Sequence, residues 1–222
     1  MEHFALFDSN MTIVSDAKDV SKYVAESIMN IYGMIVAVDL KEYPGLSAKE
    51  LALEILKKNG LKEPEIQERL DRFLEDLPYS YYNVAWSDRI TVADGATQLL
   101  DELRGKGVGL GIATGEPQRV SKMRLDKVKM SGYFTFGSYA EDGISPKEII
   151  DTALNRASSE FGLQVEEGFF FSAFPHFISA AREAGIYAVG VAGRFTAADL
   201  SAAGANETLQ SFRDKPKLLK EL

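Results

Sequence analysis

His3-Phe-Ala-Leu-Phe-Asp-Ser-Asn-Met-Thr-Ile13 is an apolar run that ends on an aspartate, with an asparagine two places later. Phe4 to Phe7 have the unbroken apolar character of a strand buried on both faces, as in a parallel sheet covered by helices. Asp8 and Asn10 then fall at the carboxyl edge of that strand, where open α/β sheets place their ligands. These two are the candidate reactive positions.

Beyond this turn, helical periodicity takes over for roughly 70 residues, about the size of a domain fragment. Val20, Tyr23, Val24, Ser27, Ile28 and Ile31 share one helix face, and Gly33 ends it. Ser47 with Glu50 forms a capping box for a helix from Ala48 to Lys58, stopped by Asn59-Gly60. A third helix is expected from Pro64 to Leu77, with Ile66, Leu70, Phe73, Leu74 and Leu77 on its apolar side. Trp86 and Tyr79, Tyr81 and Tyr82 fall where this helical block rejoins the rest, and their expected role is packing.

From Ile90 the rhythm becomes strand and helix in alternation, which implies right-handed crossovers and a parallel sheet. Strands are expected at Val108–Ala113, Tyr133–Ser138, Gly168–Phe171 and Tyr187–Val191, the last clear one. Helices are expected at Ala96–Arg104, after Pro117, at Pro146–Phe161, at Phe177–Ala184 and at Ala197–Ala203, followed by a polar tail ending in Leu218-Leu219. The fold class is therefore α/β, a doubly wound parallel sheet with an inserted α-helical cap. Residues 1–15 and 87–222 form the α/β core, and 16–86 form the cap over the sheet edge.

At 222 residues and 45% hydrophobic content the chain can bury one large core or one core plus a small accessory domain. Its 33 acidic against 25 basic residues, a formal charge of -8, speak against nucleic acid as a partner. The absence of cysteine removes disulfides, thiolate metal sites and cysteine nucleophiles together. With no apolar signal core and no stretch approaching a membrane span, the expectation is a cytoplasmic protein, a monomer or weak homodimer.

Asp8-Ser-Asn-Met-Thr-Ile13 resembles the first motif of the haloacid dehalogenase phosphohydrolases, D-x-D-G-T-hydrophobic, and the similarity runs nearly end to end. Tyr43-Pro-Gly-Leu-Ser-Ala-Lys-Glu50 resembles the cap turn of their phosphoglycolate-phosphatase-like members. Gly111-Ile-Ala-Thr-Gly-Glu-Pro117 is similar to the second motif, and Tyr133 to Gly143 followed by Lys147 to Ala157 to the segment supplying the basic third. Phe174-Pro-His-Phe-Ile-Ser-Ala-Ala-Arg-Glu-Ala-Gly185 is similar to the fourth. Four matches in order carry the resemblance, which implies a Rossmann-like core.

By that resemblance Asp8 is the nucleophile position, position 10 moves the proton, and Thr114, Gly115 and Lys147 are the candidate phosphate-binding residues. A small phosphorylated metabolite or anion is the implied partner. The departures bear on chemistry. Asn10 replaces the second acid, Met11 the glycine, and the fourth-motif acids that hold magnesium in the family fall on Ala173 and Phe177. No metal site, and so no magnesium cofactor, is expected.

An aspartate approaching a phosphate dianion at about 4 Å and effective dielectric ~20 faces about 4 kcal/mol for each charge pair. Two pairs amount to about 8 kcal/mol, nominally six orders of magnitude in rate, which magnesium normally offsets. An amide at position 10 removes general acid–base help worth about 10² to 10⁴. The leading expectation is a phosphoglycolate-phosphatase-type protein with phosphatase activity absent or very weak. The alternatives are a functional hydrolase using Asp8 on phosphomonoesters or, as in haloacid dehalogenases, without metal, and a non-catalytic interaction protein presenting the apolar Phe171-to-Phe177 loop.

Overall fold

The computed structural model describes residues 3–16, 21–39, 42–85 and 89–217; Val20, Trp86 and Leu218-Leu219 lie outside the described residues. In chain order the strands are β1 (Phe4–Phe7), β2 (Val14–Asp16), β3 (Ile90–Val92), β4 (Gly109–Ala113), β5 (Phe136–Ser138), β6 (Gly168–Ser172), β7 (Tyr187–Val191) and β8 (Glu207–Leu209). The helices are α1 (Ser21–Tyr32), α2 (Ala48–Lys58), α3 (Glu63–Gln67), α4 (Leu70–Ser80), α5 (Ala96–Gly105), α6 (Gln118–Lys127), α7 (Pro146–Phe161), α8 (Pro175–Glu183) and α9 (Ala197–Ala202).

Six strands form one parallel sheet in the order β5-β4-β1-β6-β7-β8. Successive residues of β1 serve opposite faces, as the two-residue strand period requires. Ala5 and Phe7 pack with Leu99, Leu103 and Ile112 on one side. Phe4 and Leu6 pack with Ile149, Ile150 and Ile178 on the other. With both faces covered, the apolar run of β1 needs no polar alternation.

The chain leaves the sheet through β2 and returns through β3, and the two pair antiparallel with Val14 opposite Val92. Both connections of the helical part therefore run side by side. That part has its own core around Ile28, Leu56 and Phe73, extended by Val120 and Ala140 from the α/β part.

Two expectations need correction. The third helix breaks into α3 and α4, where the ladder tightens and the Ile66 carbonyl accepts the Arg69 amide at 3.1 Å together with the Tyr32 hydroxyl at 2.9 Å. The polar tail also holds a further strand, β8, paired in register with β7 at Val189 and Glu207. Among the described residues no helix is long and apolar enough to cross a membrane.

Candidate active site

Three neighbouring strands end together. Phe7 of β1 lies opposite Ile112 of β4 and Phe171 of β6, so Asp8, Thr114 and Ser172 emerge side by side at the carboxyl edge. This is the point where strand order reverses and open α/β sheets bind ligands. Above it, the helical part closes a cavity of about 640 Å³ whose wall includes Asp8, Asn10, Thr114, Gly115, Glu116 and Arg124.

Asp8 is 2% exposed. Its Oδ1 accepts Thr114 Oγ1 at 2.8 Å and the Asn10 amide at 3.3 Å, and its Oδ2 accepts Ser172 Oγ at 3.2 Å. All three donors are neutral. Burial raises the Asp8 carboxyl to about 7, the hydrogen bonds from Thr114 and Ser172 offset only part of this, and the nearby Glu116 charge adds to it.

The cation nearest this group is Arg124 of α6, 1% exposed and already engaged on all sides. Its guanidinium forms ion pairs with Asp16 and Glu116, donates to Asn10 Oδ1 at 3.1 Å and to the Tyr81 hydroxyl at 3.3 Å. Tyr81 in turn donates to Asp16 at 3.0 Å. Ser9 Oγ bridges the groups, donating to the Glu116 carboxylate at 3.1 Å and lying 3.2 Å from Thr114 Oγ1. Burial pushes the Glu116 carboxyl up, while Arg124 pulls it down.

The turn after Asp8 keeps left-handed backbone at Met11, φ 52, which costs a non-glycine residue about 1–2 kcal/mol. Thr12 ties it to the neighbouring strand end, its Oγ1 accepting the Ala173 amide at 2.9 Å. The fourth loop offers no carboxylate: Ala173 and Phe177 are 2% exposed, and the Phe177 ring stacks on Phe170 with centroids 6.1 Å apart. Magnesium prefers near-octahedral oxygen ligands. Of the cavity's carboxylates, Glu116 and Asp16 are paired with Arg124 and Asp8 alone stands at the strand ends, and among the described residues no group of three acidic, histidine or cysteine side chains is arranged to hold a metal. The residues present do not fit the ion.

Lys147 does not join the site. A capping box of Ser145 and Glu148 fixes the start of α7 at Pro146, and the Lys147 ammonium turns along the helix to Asp151 at 2.6 Å. Thr114 and Gly115 do line the cavity, but the Thr114 hydroxyl is directed at Asp8 and the Gly115 carbonyl accepts the Ala48 amide at 2.8 Å. The loop expected as a partner surface is also turned inward. Phe174 is 4% exposed and packs against Phe195, and a Cβ on Gly45 would meet its Cβ at 3.0 Å.

Gly115 lets the helical part seat directly on the sheet edge. A Cβ there would stand 2.7 Å from Ser47 Cα, while Ser47 Oγ donates to the Ile144 carbonyl and Lys49 to that of Glu141. Gly115→Ala is expected to lower stability by about 1–3 kcal/mol through this overpacking. Hydrogen exchange at the Ala48 amide should speed up in step, and an unchanged exchange rate there would contradict the contact.

Glu116, Arg124, Asp16, Ser9 and Ser172 belong to the site without having been singled out as its members. Arg124 left one signal: it falls with Val120, Ser121 and Leu125 on the buried face of α6, where an unpaired charge is not tolerated.

The model of the haloacid dehalogenase-like hydrolases matches residues 5–191. No curated protein matches significantly. Among solved structures, a hydrolase from Pseudomonas syringae superimposes with TM-score 0.72 at 19% identity, covering 99% of this chain and 97% of its own. A predicted phosphatase from Clostridium acetobutylicum gives 0.68 at 19% identity over 100% of both chains. A β-phosphoglucomutase from Clostridium difficile gives 0.71 at 16%, covering 100% of this chain and 96% of that one. Likeness at such identities speaks for the fold alone.

Proposed function

This chain belongs to the haloacid dehalogenase-like hydrolase family, and within it we propose a member of phosphoglycolate-phosphatase type whose magnesium-dependent phosphomonoesterase activity is absent or very weak, its cavity serving to bind a small molecule. One observation carries this reading: Asp8 is surrounded by neutral donors and a second carboxylate, with Ala173 and Phe177 where the family's metal-holding acids belong. A phosphate dianion would meet the Asp8 carboxylate while the buried cation of the cavity, Arg124, already serves Asp16 and Glu116. Asn10, its Oδ1 held by Arg124, can donate a hydrogen bond from its amide nitrogen but cannot shuttle a proton. Retained phosphate binding through the Thr114 hydroxyl would have to displace the hydrogen bond it already donates to Asp8.

Assay of p-nitrophenyl phosphate with magnesium tests the proposal. The expected result is hydrolysis indistinguishable from that of the Asp8→Asn variant. Turnover that requires magnesium and disappears in Asp8→Asn would contradict it. The hydroxyls of Thr114 and Ser172 on the two oxygens of Asp8 favour a second reading, attack on an uncharged carbon electrophile. Asp8-dependent halide release from small haloacids would select that reading over binding.

A further inference from the structure

We propose that the cavity takes a small organic cation, an amine on an apolar body, with Asp8 as its counter-ion. This rests on the reading that no metal ion stands beside Asp8. Three buried or nearly buried carboxylates, Asp8, Asp16 and Glu116, share one buried guanidinium, Arg124. Ionised together, the four carry two uncompensated negative charges in a site largely shut off from water. Isolated buried charge is not tolerated, so either protons or a ligand must supply what is missing.

Geometry says where that charge is needed. Both pairs of Arg124 go to Asp16 and Glu116, leaving Asp8 as the carboxylate with hydroxyl and amide partners only. The groups facing Asp8 are Thr114 from the end of β4, Ser172 from the end of β6, Asn10 from its own turn, and Glu116 from the loop before α6. None is cationic. Arg194, the other cation on the cavity wall among the described residues, is exposed.

The rest of the wall suits the body of such a ligand. Tyr23, Tyr43, Phe73, Leu77, Phe174 and Phe177 line it, and aromatic faces attract cations as well as apolar groups. At about 640 Å³ the space lies in the range of small-molecule sites. An amine entering it would form a charge-assisted hydrogen bond with Asp8 and displace the proton held there near neutral pH.

Benzylammonium, benzyl alcohol, benzoate and phenyl phosphate share one ring and differ in charge, so calorimetric titration of the whole chain with each separates the possibilities. Benzylammonium is expected to bind at least about tenfold tighter than the other three at pH 8, and to weaken by up to about tenfold at pH 6 as the proton competes. At pH 6, heats in buffers of different ionisation enthalpy should show proton release, a readout needing no variant. In Asp8→Asn the preference for the cation over benzyl alcohol should vanish. Equal or tighter binding of benzoate or phenyl phosphate, or an undiminished preference in Asp8→Asn, would overturn the inference alone. Magnesium that competes with benzylammonium and supports phosphate turnover would overturn both it and the functional reading.

Discussion

Above pH 7, Asp8→Asn is expected to be more stable than the wild-type chain by about 4 kcal/mol. The folded carboxyl titrates at about 7 against an ordinary 3.8, and each pH unit of that gap is worth about 1.36 kcal/mol. The sign follows from proton linkage. Below pH 3.8 the acid is protonated whether folded or unfolded, and its stability contribution is intact. As pH rises through the folded value the unfolded chain ionises freely while the buried group resists, so wild-type stability falls and then levels off. The amide cannot ionise and is spared the loss. It keeps the acceptor for Thr114 and the Asn10 amide, and Ser172, whose hydroxyl can rotate, accepts from the new NH₂. At roughly 2–4 °C for each kcal/mol, thermal denaturation should show the variant melting some 8–16 °C higher at pH 8 and level with the wild type near pH 4. A lower melting temperature at pH 8 would mean that a cation stabilises the native carboxylate after all.

Arg124→Met is expected to have the opposite and equally large effect, a loss of about 3–5 kcal/mol at neutral pH. Methionine fills much of the volume but leaves Asp16 and Glu116 buried without their cation, and breaking a buried pair costs far more than the intact pair contributes. The same change cuts the tie between α6, the β2 end at Asp16 and the Tyr81 hydroxyl, so the seating of the helical part loosens with it. Because burial already favours a protonated Glu116, the deficit should shrink as pH falls, and adding Glu116→Gln and Asp16→Asn should restore much of the loss. Urea denaturation of the single and triple variants measures this. A single variant within about 1 kcal/mol of wild type would show that the network holds little together.

The placement of Asp8 was legible because it depends on local signals: an apolar run too continuous for a solvent-facing strand, followed by a polar turn. The helical insertion was legible for the same reason, through capping at Ser47 and stripes of period 3.6. Strand β8 was not, since Glu207-Thr-Leu209 is three residues long with one buried side chain, and its strand character comes from pairing with β7. At the break between α3 and α4 the Ile66 carbonyl takes a hydrogen bond from a tyrosine 34 positions away, a contact no local signal announces. For Lys147 a resemblance gives a position only, while the capping box at Ser145 and the partner Asp151 decide where the ammonium points. The Arg124 network was least accessible of all. Arg124 and Asn10 are 114 positions apart, and nothing local distinguishes a buried arginine from the other cations of α6 except its place on the apolar face.

Following the Asp8 side-chain carboxyl carbon by NMR through a pH titration, with and without millimolar magnesium, tests most directly whether this carboxylate stands without a cation. The predicted midpoint lies at about pH 7 and is unmoved by the metal. A midpoint near the ordinary 3.8, or one that magnesium pulls down from 7, would contradict it.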